Sequence, residues 1–244
     1  MKQFIRNLTF PFLLVLLISI CTSFSSIDND FSPIEKNSSS IVVSDEKELF
    51  TELNIKDLSF EAFQQAYIGF KKLQLQNKLN NSNLLTIIDF TKPSTQKRLY
   101  IIDISEKKLI ERSLVAHGRN SGSLNANSFS NTPQSYQSSL GFYLTAETYY
   151  GKHGYSLRLD GLEKNINDNA RDRAIVIHGA DYVSESFIEK YGRLGRSFGC
   201  PALPKAKSKA IIDVIKNKSC LFIYSASETY AAQSNYLQPT LASN

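Results

Sequence analysis

The chain has 244 residues, of which 42% are hydrophobic, and its formal net charge is +5 at pH 7. This length and apolar content exclude a wholly disordered protein and predict one main domain with small additions. Lysine and arginine are scattered among acidic residues, without the basic stripe that binds nucleic-acid phosphates, so we expect no nucleic-acid partner.

Residues 1–25 have the organisation of a cleaved secretory signal peptide. Lys2 and Arg6 precede an apolar run, and small polar residues follow it. The run is shorter than the roughly 20 residues that span a bilayer, and no later run is longer. We therefore expect an exported protein of the periplasm or cell envelope, monomeric and without a membrane span after cleavage. Cys21 follows Ile20 rather than a small residue, which favours ordinary cleavage over lipid attachment at Cys21.

Residues 26–83 are predicted to hold a flexible tether and one helix. Serine and asparagine dominate the stretch from Ser25 to Ser44, which is typical of a tether. Apolar residues recur at helical intervals from Leu58 to Leu75, and Ser59 is placed to cap the helix. We expect its aromatic stripe to pack on the domain rather than to bind a ligand.

Residues 84–226 consist mostly of short runs of strand-forming residues separated by turns. The runs cover residues 84–90, 98–104, 114–116, 141–144, 155–159, 174–177 and 221–224. This pattern predicts a mainly β fold, a sandwich or barrel with a few short helices.

Two of those helices are predicted at 184–191 and 204–216. The apolar spacing of the second predicts that one of its faces is buried. That face contains Ala210, Ile211, Val214 and Ile215. The polar residues 227–244 are predicted to form a loose tail.

A single cysteine, Cys200, lies in a turn that follows a strand ending at His178. A thiol is mostly protonated at neutral pH unless an imidazole or another positive group holds it as thiolate. Gly195 and Gly199 flank the turn and allow consecutive N–H groups to converge as an oxyanion hole. Arg196 adds positive charge, either to favour the thiolate or to hold a substrate carboxylate. The pattern predicts a thiol nucleophile with a histidine base.

The dipeptide His178-Gly179 and the tetrapeptide Ser197-Phe198-Gly199-Cys200 resemble the signature of L,D-transpeptidase (YkuD-type) catalytic domains. That signature consists of a histidine and, further along the chain, a Ser-His-Gly-Cys sequence. That family cross-links peptidoglycan through a cysteine acyl-enzyme. Phe198 stands where the signature usually has histidine, and Pro201 follows the cysteine. This departure resembles a divergent branch, the murein L,D-transpeptidase catalytic domain proteins. Four further stretches resemble the same branch: residues 87–94, 115–122, 138–141 and 154–159. The resemblance therefore covers roughly residues 84–224.

The resemblance implies an exported cysteine acyltransferase that acts on peptidoglycan stem peptides. Cys200 would form a thioester with one stem while His178 balances the thiolate as imidazolium and then protonates the leaving amine. Backbone N–H groups near Ser197, Gly199 and Cys200 would hold the oxyanion, and Gly179 is assigned to the same site. Resolution by water would instead make the protein an L,D-carboxypeptidase or endopeptidase. A non-catalytic envelope-binding protein is the third alternative.

Two further histidines are candidates for the site. His117 ends a predicted strand before a polar loop, so it either orients His178, contacts substrate or makes one ordinary hydrogen bond. Phe198 would dry the cavity, and His117 is then a candidate for the lost polar group. His153 lies in a tyrosine-rich turn, which the resemblance places at the substrate groove and which is otherwise a surface turn. Arg158 points either to solvent or to this groove.

Besides Cys21 and Cys200, the chain has one more cysteine, Cys220. Cys200 and Cys220 would be able to form a disulfide in an oxidising compartment. However, Cys220 begins an apolar strand, where inert buried thiols are common, and we favour Cys200 as a nucleophile. The sequence has neither His-Glu-x-x-His nor Cys-x-x-Cys, so we predict no metal and no cofactor.

Overall fold

Eight strands form one hydrogen-bonded sheet in the computed structural model, which describes residues 37–238, with side chains from residue 45. The strands are β1 (Leu84–Asp89), β2 (Leu99–Asp103), β3 (Lys108–Ser113), β4 (Gly141–Gly151), β5 (Gly154–Gly161), β6 (Val176–Ala180), β7 (Ala202–Pro204) and β8 (Cys220–Tyr224). The helices are α1 (Asn37–Leu53), α2 (Phe60–Leu75), α3 (Glu185–Tyr191), α4 (Lys205–Ile215) and α5 (Glu228–Gln233). The predicted signal peptide and Cys21 lie outside the described residues.

The sheet order is β3-β2-β1-β8-β4-β5-β6-β7, with parallel pairing between β1 and β8 and between β6 and β7. The chain beyond β3 reaches the opposite edge of the sheet, where the Ala116 amide donates to the Ala202 carbonyl at 2.8 Å. The segment that follows one edge strand, β3, therefore bridges to the other edge strand, β7. This confirms the predicted mainly β fold. Within residues 37–238, no helix combines the length and apolar content needed to cross a bilayer.

Helix α2 packs on the sheet as predicted. Ser59 caps its start, because the serine Oγ accepts a hydrogen bond from the Ala62 amide at 3.2 Å. Phe63 and Phe70 are fully buried beneath it. Gly69 permits the close approach, since a Cβ there would lie 2.0 Å from the Phe142 ring of β4. Burial of this aromatic stripe fits a packing role.

Two predicted loose segments are partly helical. Helix α1 begins at Asn37, inside the stretch predicted as a tether, and its Leu49 and Leu53 are buried. Helix α5 lies inside the predicted tail, and its Tyr230 donates a hydrogen bond to the buried Glu163 at 3.0 Å. A few apolar residues are enough to stabilise each of these helices, because each helix packs on the core of the domain.

Two local predictions are wrong. In α4 the buried residues are Ser208, Ile211, Ile212 and Ile215. Ala210 and Val214 are exposed, because the face turned to the sheet is rotated by about one residue from the predicted one. The third strand is at Lys108–Ser113 rather than at 114–116, of which Ala116 forms only an isolated bridge.

Candidate active site

His178 and Cys200 line one cavity of about 360 Å³. His178 lies on β6 and pairs with Ala202 of β7. Cys200 precedes Ala202 by two residues, so the parallel pairing of β6 with β7 brings the two side chains to the same cavity. The cavity is lined by Tyr149, Lys152, His153, Arg173, Ala174, Val176, His178, Tyr182, Arg196, Ser197, Phe198 and Cys200.

The imidazole of His178 is held in one tautomer by the backbone of the next residue. Nδ1 lies 3.1 Å from the Gly179 carbonyl oxygen, and a carbonyl only accepts, so Nδ1 carries the hydrogen. Nε2 is then the nitrogen that remains to take a proton. His178 is only 3% exposed, and this burial lowers its pKa below the usual histidine range. Gly179 itself contributes its carbonyl and does not line the cavity.

The Cys200 sulfur is enclosed by backbone groups that precede and begin β6. Sγ accepts a hydrogen bond from the Val176 amide at 3.5 Å, and the thiol donates to the Ala174 carbonyl at 3.6 Å. Burial raises the pKa of Cys200, and the Val176 N–H and the charges of Arg173 and Lys152 oppose that effect only in part. At neutral pH both shifts favour a neutral thiol and a neutral imidazole over the predicted thiolate and imidazolium.

The turn before Cys200 uses some of the predicted oxyanion donors for its own structure. Ser197 Oγ donates to the Cys200 carbonyl at 2.7 Å and accepts from the Gly199 amide at 3.0 Å. The Ser197 amide donates to the His117 carbonyl at 3.0 Å. Of the three predicted N–H groups, only that of Cys200 has no acceptor in another described residue. The prediction that Ser197 and Gly199 supply free N–H groups is therefore wrong in this resting structure.

Gly199 is required by the backbone of this turn. Its φ is +125°, a conformation that residues with a side chain rarely adopt. A Cβ at Gly199 would also lie 2.8 Å from the Gln137 carbonyl oxygen. A second contact fixes the turn on the same side, because Ser138 Oγ donates to the Gly199 carbonyl at 3.0 Å.

Two arginines bring positive charge to the cavity. Arg196, which the sequence predicted, donates through Nη1 to the carbonyls of Arg119 and Gly122 at 3.2 and 3.0 Å. Arg173 was not predicted from the sequence. It is half-buried and donates to the carbonyls of Ser130 and Gln137 at 2.7 and 2.6 Å. Arg173 is thus tied to the scaffold near the thiol, whereas Arg196 keeps donors for other partners.

His153 lies against the base. It lies in the turn between β4 and β5, and its ring stacks on that of His178 with centroids 4.4 Å apart and an interplanar angle of 24°. Tyr149 of β4 also lines the cavity, and the Arg158 guanidinium lies 4.5 Å from its ring centroid. The structure thus brings His153 together with His178 and Cys200.

His117 lies elsewhere. Its side chain is fully buried, receives a hydrogen bond from Arg98 Nη2 at Nδ1 at 2.7 Å and lies 3.3 Å from the Gly122 carbonyl through Nε2. It is not among the residues that line the cavity. The prediction that the His117 side chain orients His178 or contacts substrate is wrong, because a buried guanidinium and a carbonyl occupy both ring nitrogens. Its backbone, however, holds Ser197 in place.

Phe198 lies at the rim of the cavity. Its side chain is 61% exposed, its ring centroid is 4.8 Å from that of Tyr136, and the Arg119 guanidinium lies over both rings. Phe198 thus lines the cavity with a ring that is mostly exposed and is held by Arg119, and the idea that it dries the cavity stays a prediction.

Cys200 and Cys220 are both free thiols. Cys220 is fully buried in β8, as expected for an inert core thiol, so the structure contains no bond between the two sulfurs. Within the part of the chain that the structure describes, no group of three or more His, Cys, Asp or Glu side chains is arranged to hold a metal ion.

No curated protein sequence matches this chain. Among solved structures, an L,D-transpeptidase from Mycobacterium smegmatis is 8% identical, with a TM-score of 0.37 and 59% of each chain covered. L,D-transpeptidase 1 of Mycobacterium tuberculosis is also 8% identical, with a TM-score of 0.32, 59% of this chain and 62% of that chain covered. An L,D-transpeptidase from Stackebrandtia nassauensis is 14% identical, with a TM-score of 0.35, 73% of this chain and 75% of that chain covered.

The chain therefore spans about three fifths of the length of the two mycobacterial enzymes. The family comparison covers more of it. Residues 54–224, well over half of the chain, match the family model described as the L,D-transpeptidase catalytic domain. This segment includes all eight strands and every residue that lines the cavity. The chain belongs to the L,D-transpeptidase catalytic domain family.

Proposed function

We propose that this protein is an exported cysteine acyltransferase that acts on peptidoglycan stem peptides. The observation that carries the proposal is the placement of Cys200 and His178 in one cavity, within the segment that matches the family model. Export rests on the signal-like residues 1–25 alone.

In the first half of the reaction, His178 acts as a general base. Its Nε2 takes the proton of the Cys200 thiol as Sγ attacks the carbonyl carbon of the third stem residue. The Cys200 amide is available to donate to the oxyanion that forms. The bond from that carbon to the nitrogen of the terminal D-alanine breaks, and His178 returns its proton to the leaving amine. The product is a thioester on Cys200.

In the second half, the side-chain amine of another stem attacks the thioester. The carbon–sulfur bond breaks, the new amide forms, and the proton lost by the amine restores the thiol. Attack by water would give a trimmed stem instead. The two outcomes share every step up to the thioester, and they differ only in the group that reaches it.

The charge of the cavity supports an anionic substrate. Lys152, Arg173 and Arg196 line it, and its lining contains no aspartate or glutamate. Arg196 uses only Nη1 within the described part of the chain, so Nε and Nη2 remain for a ligand. A guanidinium and an ammonium group are suited to the free carboxylates of a stem peptide.

The shared cavity of Cys200 and His178 favours an enzyme over a binding protein that has lost catalysis. A binding protein would have no need of a thiol and an imidazole in the same cavity. A buried neutral base next to a thiol is an arrangement for proton transfer.

The test is a transfer assay with purified mature protein. A tetrapeptide stem ending in D-alanine is incubated with an isotopically labelled diamino-acid acceptor, and products are identified by mass spectrometry. We expect release of D-alanine and a labelled cross-linked product with the wild type and with Cys220→Ala, and neither product with Cys200→Ala. Release of D-alanine without labelled product would assign the hydrolase activity. No release with the wild type would refute the proposal.

A further inference from the structure

The tip of the β4–β5 hairpin carries two residues onto the active site. Gly151 and Gly154 pair across the hairpin, so Lys152 and His153 form a two-residue turn, and Gly154 has a φ of +75°. On the other side of β5, Ser156 pairs with His178 of β6. His153 precedes Ser156 by three residues, so its side chain can reach across to β6 and contact His178.

The His153 ring covers the base. The two imidazoles are close to parallel, with an interplanar angle of 24° and centroids 4.4 Å apart. His178 lines an open cavity and is nevertheless only 3% exposed, whereas His153 itself is exposed. A flat ring stacked on one face of His178 excludes water from that face and restricts rotation of the imidazole.

We propose that His153 is a positioning residue: its ring holds the His178 imidazole in the orientation in which Nε2 takes the proton of Cys200. The inference rests on the proposed function, because it assigns His153 to the base of that reaction. It goes further by giving a role to the hairpin turn, which contributes no group to the bonds that form and break.

The surroundings of the two rings set the expected direction of a pKa change. Burial lowers the pKa of His178, and the neighbouring charges of His153 and Lys152 lower it further. The other titratable or charged groups that face the rings across the cavity are Tyr149, Arg173, Tyr182, Arg196 and Cys200. Removal of the His153 ring would expose His178 to water, and its pKa would then rise toward the ordinary value.

The chain has only three histidines, which makes a direct test practical. Protein labelled with ¹³C at histidine Cε1 is titrated by NMR as the wild type, His153→Ala and His153→Phe. Phenylalanine keeps a flat ring and cannot titrate. Tyr150→Ala is the matched control, because Tyr150 is exposed on the same hairpin and does not line the cavity. His117 is an internal reference, since its pKa is lowered to about 4 and it lies outside the cavity.

We expect the titration midpoint of His178 to rise in His153→Ala and to stay low in His153→Phe and in Tyr150→Ala, with His117 unchanged in all of them. The same midpoint for His178 in the wild type and in His153→Ala would overturn the inference. So would equal shifts in the Ala and Phe variants, because the ring would then not be the responsible group.

A kinetic measurement separates this inference from the proposed function. We expect thioester formation with a tetrapeptide stem to slow about tenfold in His153→Ala, because a catalytic group that is no longer held in its reactive orientation reacts more slowly. In His153→Phe the rate should stay close to that of the wild type. Equal rates in wild type and His153→Ala would overturn the positioning role. If the wild type forms no thioester while His178 still shifts as expected, the proposed function fails and the stacking role of His153 toward His178 stands.

Discussion

Arg98 donates a hydrogen bond from Nη2 to Nδ1 of His117 at 2.7 Å, and both side chains are fully buried. Because Nδ1 accepts, the hydrogen of the neutral ring is on Nε2, which points at the Gly122 carbonyl at 3.3 Å. Among the described residues no carboxylate accepts a hydrogen bond from Arg98, which donates to the carbonyls of Val115 and Lys92. Its guanidinium lies 4.7 Å from the Phe90 ring centroid. A second positive charge beside it would be costly.

This pair predicts loss of stability in mild acid. Burial, and then the charge of Arg98, lower the pKa of His117 from 6.5 to about 4. Between pH 6.5 and about pH 4, His117 therefore binds a proton in the unfolded chain but not in the folded one. The contribution of neutral His117 to the free energy of unfolding is present in full above pH 6.5, and it is lost as the pH falls toward 4. The shift corresponds to about 3 kcal/mol of unfolding free energy.

Urea unfolding of the wild type and of His117→Gln at pH 7 and pH 4.5 measures the effect. Glutamine can replace both hydrogen bonds and cannot titrate, so we expect the variant to lose less stability between the two pH values than the wild type. Equal losses would contradict a role for His117 in acid sensitivity. Carboxylates titrate in both proteins and cancel in the comparison.

Substitution of Gly199 by alanine is expected to damage both stability and acylation. The φ of +125° gives a backbone cost of about 1–3 kcal/mol, and the new Cβ would have to displace the Gln137 carbonyl. Gly192→Ala is the matched control, since Gly192 also has a positive φ, +69°, but has no atom within 4 Å of its Cβ position. Thermal unfolding and thioester formation are measured for both. An unimpaired Gly199→Ala would show that the turn does not need its present conformation.

Tyr230→Phe tests whether the C-terminal helix belongs to the core. Tyr230 donates to the carboxylate of Glu163, which also accepts from the Phe142 amide at 2.7 Å and from Ser234. Loss of one donor to a buried carboxylate is expected to cost about 1–3 kcal/mol. Tyr150→Phe serves as the comparison, because the exposed Tyr150 hydroxyl has no partner among the described residues. Equal stability of the two variants in urea would show that α5 contributes little.

Alkylation of Cys200 is expected to be slow at neutral pH. Burial raises the pKa of this thiol, so the thiolate fraction grows only as pH rises beyond the usual thiol range. Iodoacetamide modification of mature Cys220→Ala protein, which lacks Cys21, is followed by intact mass from pH 5 to pH 10 and reports on Cys200. A rate that is already maximal below pH 7 would contradict the neutral resting pair and would indicate a thiolate held by imidazolium.

Much of the fold follows from local patterns in the sequence. The Ser59 cap and the aromatic spacing after it predict α2, and short continuous runs of strand-forming apolar residues predict β1, β2 and β8. Strand β3 was missed because Lys108 to Ser113 is an edge strand with charged side chains, so it lacks a full apolar run. Helix α5 was missed because a single buried residue, Tyr230, ties it to the domain.

The site is less visible in the sequence than the fold. The Gly-flanked cysteine and the strand-ending histidine point to Cys200 and His178, and the tyrosine-rich turn points to His153. Arg173 carries no periodic or motif signal, because its role depends on carbonyls that distant loops bring to it. His117 resembles a site residue in sequence, and only the buried Arg98 beside it shows a structural role.

The proposed function requires Cys200 to be an acyl-accepting nucleophile. Intact-protein mass spectrometry of the mature wild type, Cys200→Ala and Cys220→Ala after exposure to a carbapenem tests this most directly, because the strained lactam carbonyl of a carbapenem would acylate an activated thiol. We predict one covalent adduct on the wild type and on Cys220→Ala, and none on Cys200→Ala. An unmodified wild type, or a mass two units low from a bond between Cys200 and Cys220, would contradict the account.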